Sequence, residues 1–145
     1  MKISFKKVLP GAQTPTYGSE FSAGADLYAL LDAPCTIAPG ETVLLHTGIA
    51  MEIPEGYGGF IYARSGLGVK KGLAPANKVG VIDSDYRGEI RVALHNHSAE
   101  PQTVENGERV AQLVIAPFLK AEFVEREELA ETLRGEGSFG STGNK

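Results

Sequence analysis

Residues 35–56, "CTIAPGETVLLHTGIAMEIPEG", decide the fold class. They read as a short strand, a turn at Pro39-Gly40, a second strand and a further turn from Pro54 to Gly56. The same punctuation recurs along the chain, around "ISFKKVL" (3–9), "GGFIYAR" (58–64), "EIRVALHN" (89–96), "QTVENGERVAQLVIAPF" (102–118) and "AEFVE" (121–125). In "EIRVALHN", Ile90, Val92 and Leu94 alternate with Glu89, Arg91, Ala93 and His95, the pattern of a strand with one core face. In "VAQLVIAPF" the apolar run is nearly continuous, as in a strand covered on both sides or lying at a subunit contact. Only two helices are expected: "SGLGVKKG" (65–72), with Ser65 as its N-cap, and "VEREELAETL" (124–133), with Val124, Leu129 and Leu133 roughly on one side.

Composition agrees with a mostly-β domain. The 145 residues make one ordinary domain, able to bury about two thirds of the surface of the unfolded chain. Eighteen glycines and eight prolines, with 22% charged and 42% hydrophobic residues, describe a turn-rich globular chain. A net charge of −4 argues against nucleic acid or a membrane surface as a nonspecific partner, since either needs a basic field. Cys35 is the single cysteine, no apolar run approaches the length of a membrane span, and "MKISFKKVLP" is not a cleavable signal, so a cytoplasmic protein is expected.

Four segments carry candidate chemistry. "ARSGLG" (63–68) follows an apolar strand and opens a helix, so Arg64, the Ser65 hydroxyl and the N–H groups of Ser65 to Leu67 could hold an anion; a plain strand-to-helix turn is the other reading. Gln112 interrupts an apolar run, either as a satisfied core amide or as a ligand contact. "GVIDSDYRGEI" (80–90) reads as a hairpin holding Asp83 and Asp85 two residues apart beside Tyr86. Two carboxylates there are either turn formers or the source of a general base. "RGEGSFGSTG" (134–143) satisfies G-x-G-x-x-G, but the chain stops five residues after Gly140, leaving no room for the helix that a dinucleotide site or a P-loop requires. It is either a bland tail or a glycine-rich strip able to wrap an anion, with Arg134 for charge and Phe139 as a flat face. Three further features take bland readings. His95 and His97 of "HNH" are surface strand residues, Cys35 has no neighbour in sequence to activate it, and "EREE" (125–128) is a solvated helix start.

Taken together these segments resemble the homotrimeric deoxyuridine triphosphate nucleotidohydrolases. "AGADLYA" (23–29), "ARSGLG", "GVIDSDYRGE" (80–89), "GERVAQL" (107–113) and "RGEGSFGSTG" stand in that family's order. The one departure is Ala63, where the family usually has proline. The resemblance implies an all-β, distorted jelly-roll-like barrel or sandwich with one short helix, a single domain over 1–145 and a flexible C-terminal arm over 134–145. It implies hydrolysis of dUTP to dUMP and pyrophosphate, with Mg2+ carried mainly by the three phosphates and sites shared between subunits of a homotrimer. Asp83 would activate the attacking water. Arg64, Ser65, Gly66, Gln112 and Arg134 would neutralise the triphosphate, and Tyr86 would pack under the deoxyribose. Asn77 and backbone groups around Gly80, Val81, Ile82 and Arg91 would read uracil. Asp26 would reach the metal through water, or else serve as a structural turn residue. Phe139 would stack on the base while Ser138, Gly140, Ser141 and Thr142 close around the phosphates. A dCTP deaminase of the same superfamily would need a glutamate base in the pocket and usually lacks such an arm. A non-catalytic dUTP-responsive module would have lost Asp83, Tyr86 or the arm, and all three are present.

Overall fold

Short strands between glycine and proline turns cannot bury an apolar face alone, so they pair into sheets that cover one another. The computed structural model describes residues 1–137. Eleven strands and one helix follow in order: β1 Ser4–Lys7, β2 Thr16–Tyr17, β3 Ala25–Tyr28, β4 Cys35–Ile37, β5 Thr42–Glu52, β6 Tyr57–Tyr62, α1 Ser65–Lys71, β7 Leu73–Pro75, β8 Gly80–Ile82, β9 Ile90–Asn96, β10 Gln102–Val104 and β11 Arg109–Pro117. They form a four-stranded sheet β1-β5-β9-β7, a five-stranded sheet β2-β3-β11-β6-β8 and a pair β10-β4. All the strand pairs are antiparallel. The result is a jelly-roll-like sandwich whose sheets remain open and do not close into a barrel.

The alternation in β9 is realised, with Ile90, Val92 and Leu94 buried against Leu45 and Ile49 of β5 and Leu73 of β7. Leu27, Ile61 and Leu113 come from the opposite sheet, while Ile37 and Val104 join from β4 and β10. β11 is interior to its sheet, between β3 and β6. Val110, Ala111 and Leu113 are buried, whereas Gln112, Val114, Ile115 and Ala116 are half-buried, so only one face of the apolar run belongs to the core.

Four expectations are corrected. The segment 124–133 forms no helix and "AEFVE" no strand; Phe123, Val124, Leu129 and Leu133 are exposed. Among the described residues their apolar spacing finds no surface to pack on, and a short helix without tertiary support does not persist. Residues 80–90 are not a hairpin either, because β8 pairs with β6 in one sheet and β9 with β5 and β7 in the other. The turn between them crosses from sheet to sheet. Finally, the N-cap of α1 is the extended Arg64, without a side-chain cap, and Ser65 is the first helical residue. The helix ends at Gly72, whose φ of 66° is left-handed.

β5 is bulged between Leu45 and Ile49 where it crosses β9. Gly48 sits in that bulge at φ 69°, and a Cβ there would stand 2.6 Å from the Ala12 Cβ and 2.9 Å from Leu30 Cδ2. Gly48→Ala is therefore expected to cost about 2–4 kcal/mol, from backbone conformation and overpacking together, measured by denaturant unfolding. A loss under about 0.5 kcal/mol would show that the bulge relaxes freely.

Candidate active site

Sheet register, not sequence proximity, assembles the first group of expected site residues. Asp26 on β3 lies opposite Gln112 on β11, and Gln112 lies opposite Tyr62 on β6. The chain leaves β6 through Ala63 and enters α1 at Ser65. A row across three strands thus brings Asp26, Gln112 and the "ARSG" turn to one cleft of about 600 Å³, lined by Asp26, Arg64, Ser65, Gly66 and Gln112 among others.

Within this cleft the amide of Gln112 donates from Nε2 to the Ala63 carbonyl at 2.8 Å, so the half-buried glutamine also fixes the strand exit. Gly68 is the first helical N–H to bond back, to the Arg64 carbonyl at 2.9 Å. The N–H groups of Ser65, Gly66 and Leu67 are left without helical acceptors. Asp26 is 7% exposed, and its carboxylate accepts from two guanidiniums. Arg64 Nε reaches Oδ1 at 2.7 Å, and Arg109 Nη1 reaches Oδ2 at 3.2 Å. A buried carboxylate needs such partners, and the same contacts aim two cationic side chains along the cleft wall.

Arg109 was not singled out from the sequence. The available signal was Asp26 itself, a charge within the otherwise apolar "ADLY", which calls for a cation from a neighbouring strand. Glu89 was missed as a side chain with a task. Its Oε1 accepts from the Gly48 N–H and its Oε2 lies against His46 Nδ1, both at 2.8 Å, so it ties the 83–89 turn to the β5 bulge.

The second group of expected residues collects elsewhere. Val81, Ile82, Asp83, Tyr86 and Arg91 line a cleft of about 260 Å³, with Leu44, Glu89 and Ile90. Gly80, buried, opens the strand that forms one wall. β8 is the edge of its sheet, and among the described residues no strand lies on its other side. An edge strand keeps a row of backbone donors and acceptors available to a planar partner. The turn that follows is closed by the Tyr86 N–H donating to the Asp83 carbonyl at 3.2 Å, and by Arg87 Nη1 donating to the carbonyls of Ser84 and Tyr86. Asp83 and Tyr86 are both exposed. The two clefts share no lining residue.

The remaining expected residues join neither cleft. Asn77 lines a third one, of about 300 Å³, beside Lys78 and His97. His97 is exposed, yet local desolvation and then the neighbouring His95 and Lys78 hold its imidazole below the ordinary histidine range. The His95 and His97 rings meet edge to face at 4.3 Å, and among the described residues no group of three metal-ligating side chains forms there or elsewhere. Arg134 is exposed and donates from Nε to the Gly137 carbonyl within its own segment. Ser138, Phe139, Gly140, Ser141 and Thr142, and with them most of the expected arm, lie outside the described residues.

Comparison with known proteins bears on the fold and the family. The family model named dUTPase matches residues 11–143. The deoxyuridine 5'-triphosphate nucleotidohydrolase of Desulfitobacterium hafniense is 50% identical over 144 residues, covering 99% of this chain and 95% of that protein. The protein of the same name from a Hydrogenobaculum species is 50% identical over 145 residues, the full length of both. Among solved structures, the dUTPase of Staphylococcus bacteriophage 80alpha with dUPNHPP superposes with a TM-score of 0.88 at 28% identity, covering 98% of each chain. The family model, the full-length similarity and the shared fold lead to one conclusion: the chain belongs to the dUTPase family.

Proposed function

We propose that this protein is a dUTP diphosphatase, hydrolysing dUTP to dUMP and pyrophosphate, with complete sites formed between the subunits of a homotrimer. The observation that carries the reading is the division of the expected residues into two clefts on one chain. One is suited to a polyanion and the other to a base and sugar, each holding half of what the reaction needs. Bringing one cleft against the other in a neighbouring subunit supplies both halves to a single nucleotide.

In the cleft around β8, the edge backbone from Gly80 to Ile82 would pair with the uracil edge beside Arg91, Asn77 would contact the base from outside this cleft, and Tyr86 would support the deoxyribose. Asp83 would hold the attacking water and take its proton as the water adds to the α-phosphorus and the α,β-bridging oxygen departs with pyrophosphate. In the other cleft, Arg64, Ser65, Gly66 and Gln112 would bind the phosphate chain, with the free N–H groups at the start of α1 as additional donors. Residues 134–143 would close over the bound nucleotide, Arg134 on the phosphates and Phe139 on the base, with Ser138, Gly140, Ser141 and Thr142 around the phosphate oxygens.

The donor set fits Mg2+ only as an ion carried by the substrate. Among the described residues no cluster of metal-ligating side chains exists, and both Asp26 oxygens already accept from arginine, leaving that carboxylate room for a water-mediated contact. Mg2+, when bound, supplies neutralisation of charge on the phosphates.

The test is to incubate the purified protein with dUTP and separately with dCTP, following pyrophosphate and ammonia. Pyrophosphate from dUTP without ammonia from dCTP is the expected result. Ammonia release identifies a deaminase, and neither product identifies a binding module. A native mass of three chains supports the shared site, and an active monomer excludes it.

A further inference from the structure

Tyr86 is held by its own turn. Its hydroxyl donates to the Glu89 carbonyl at 2.9 Å. Its ring lies so close to Gly88 that a Cβ built there would stand 2.6 Å from Cζ and 2.9 Å from Cε2, and nearer still to the hydroxyl oxygen. Gly88 is not among the residues with positive φ, and the three atoms nearest a Cβ there all belong to the tyrosine. The acceptor is rigid as well, since the Glu89 carboxylate is anchored to the Gly48 N–H and to His46 in the β5 bulge. Tyr86 lines the cleft with Asp83, whereas Gly88 does not. A side chain at Gly88 would therefore displace the Tyr86 ring from the position it holds in the wall of the cleft.

We propose that Gly88 is a specificity-determining positioning residue. By having no side chain it lets the Tyr86 ring sit back against the turn, and it thereby sets the clearance available to the sugar of the bound nucleotide. The inference rests on the reading of Tyr86 as the support of the deoxyribose, and it adds the element that fixes the ring's position. Gly88 touches no reacting atom and acts only through Tyr86.

The test is a double-mutant cycle with Gly88→Ala and Tyr86→Ala, measuring kcat and KM for dUTP and UTP and thermal midpoints for all four proteins. Gly88→Ala is expected to lower kcat/KM for dUTP by about 10- to 100-fold, chiefly through KM, because the displaced ring obstructs the sugar. In the Tyr86→Ala background the same change is expected to have almost no effect, since nothing remains to be pushed. If Gly88→Ala alone does not fold, recovery of folding in the double variant supports the proposal, and failure of both overturns it. An equal loss with and without Tyr86, or no loss at all, also overturns it. Tyr86→Ala alone separates the two levels. If it leaves the dUTP-to-UTP ratio unchanged, the reading of Tyr86 is wrong. If it raises the share of UTP while Gly88→Ala behaves as the parent, only the assignment of Gly88 is wrong.

Discussion

Asp83→Asn is expected to reduce kcat by about 10² to 10⁴ while leaving the fold and nucleotide affinity nearly unchanged. The backbone of Asp83 is what the turn uses, through its carbonyl and the Tyr86 N–H, and an asparagine preserves that contact. Among the described residues the Asp83 side chain makes no hydrogen bond whose loss would disturb the turn. An amide can hold a water molecule but cannot accept its proton. Single-turnover rates with dUTP, set beside the affinity for a non-hydrolysable analogue, separate chemistry from binding. A variant with the parental rate would remove Asp83 from the role of base.

Removing residues 134–145 is expected to abolish most turnover, by about 10²-fold or more, without shifting the thermal midpoint appreciably. Arg134, Gly135 and Glu136 are exposed and Gly137 is half-buried, and the hydrogen bonds joining Arg134 and Gly137 stay within the segment. Its described part, 134–137, contributes no apolar residue to the core. Under the proposed function it takes away Arg134 and Phe139, so nucleotide still binds through the two clefts while the phosphates lose their cover. Phe139→Ala should give a milder loss, since stacking on a base contributes about 1 to 3 kcal/mol. The deleted segment added as a free peptide should restore little, because the covalent link sets its effective concentration. Near-parental hydrolysis by the shortened chain, or a large drop in its melting temperature, would reject the segment as a closing element.

What could be read from sequence divides along physical lines. The inward face of β9 was legible because alternation is a local property of a strand packed on one side, and Ile90, Val92 and Leu94 are buried as the pattern requires. The strands flanking the turn at 83–88 were legible as well, but their partners were not. Turn chemistry indicates that the chain reverses, whereas the choice of β6 for β8 and of β5 and β7 for β9 depends on the whole sandwich. The helix expected over 124–133 failed because an apolar stripe predicts structure only where there is something to cover it, and Leu129 and Leu133 are exposed. The site residues Asp26, Arg64 and Gln112 were identifiable one by one. Their convergence was not, being a consequence of the register that sets Asp26 against Gln112 and Gln112 against Tyr62. Arg109 escaped notice because its significance appears only when the burial of Asp26 is known.

The lack of any common residue between the two main clefts makes damage to one independent of damage to the other. Under the shared-site reading, a chain carrying Asp83→Asn retains a sound anion cleft, and a chain altered at Arg64 retains a sound base cleft. Each forms an inactive trimer by itself. When equal amounts are refolded together and assemble at random, about a quarter of the sites join the sound half of one chain to the sound half of the other. Two inactive parents then yield active offspring, so a loss-of-function allele in one half of the site can be complemented by a different loss-of-function allele in the other.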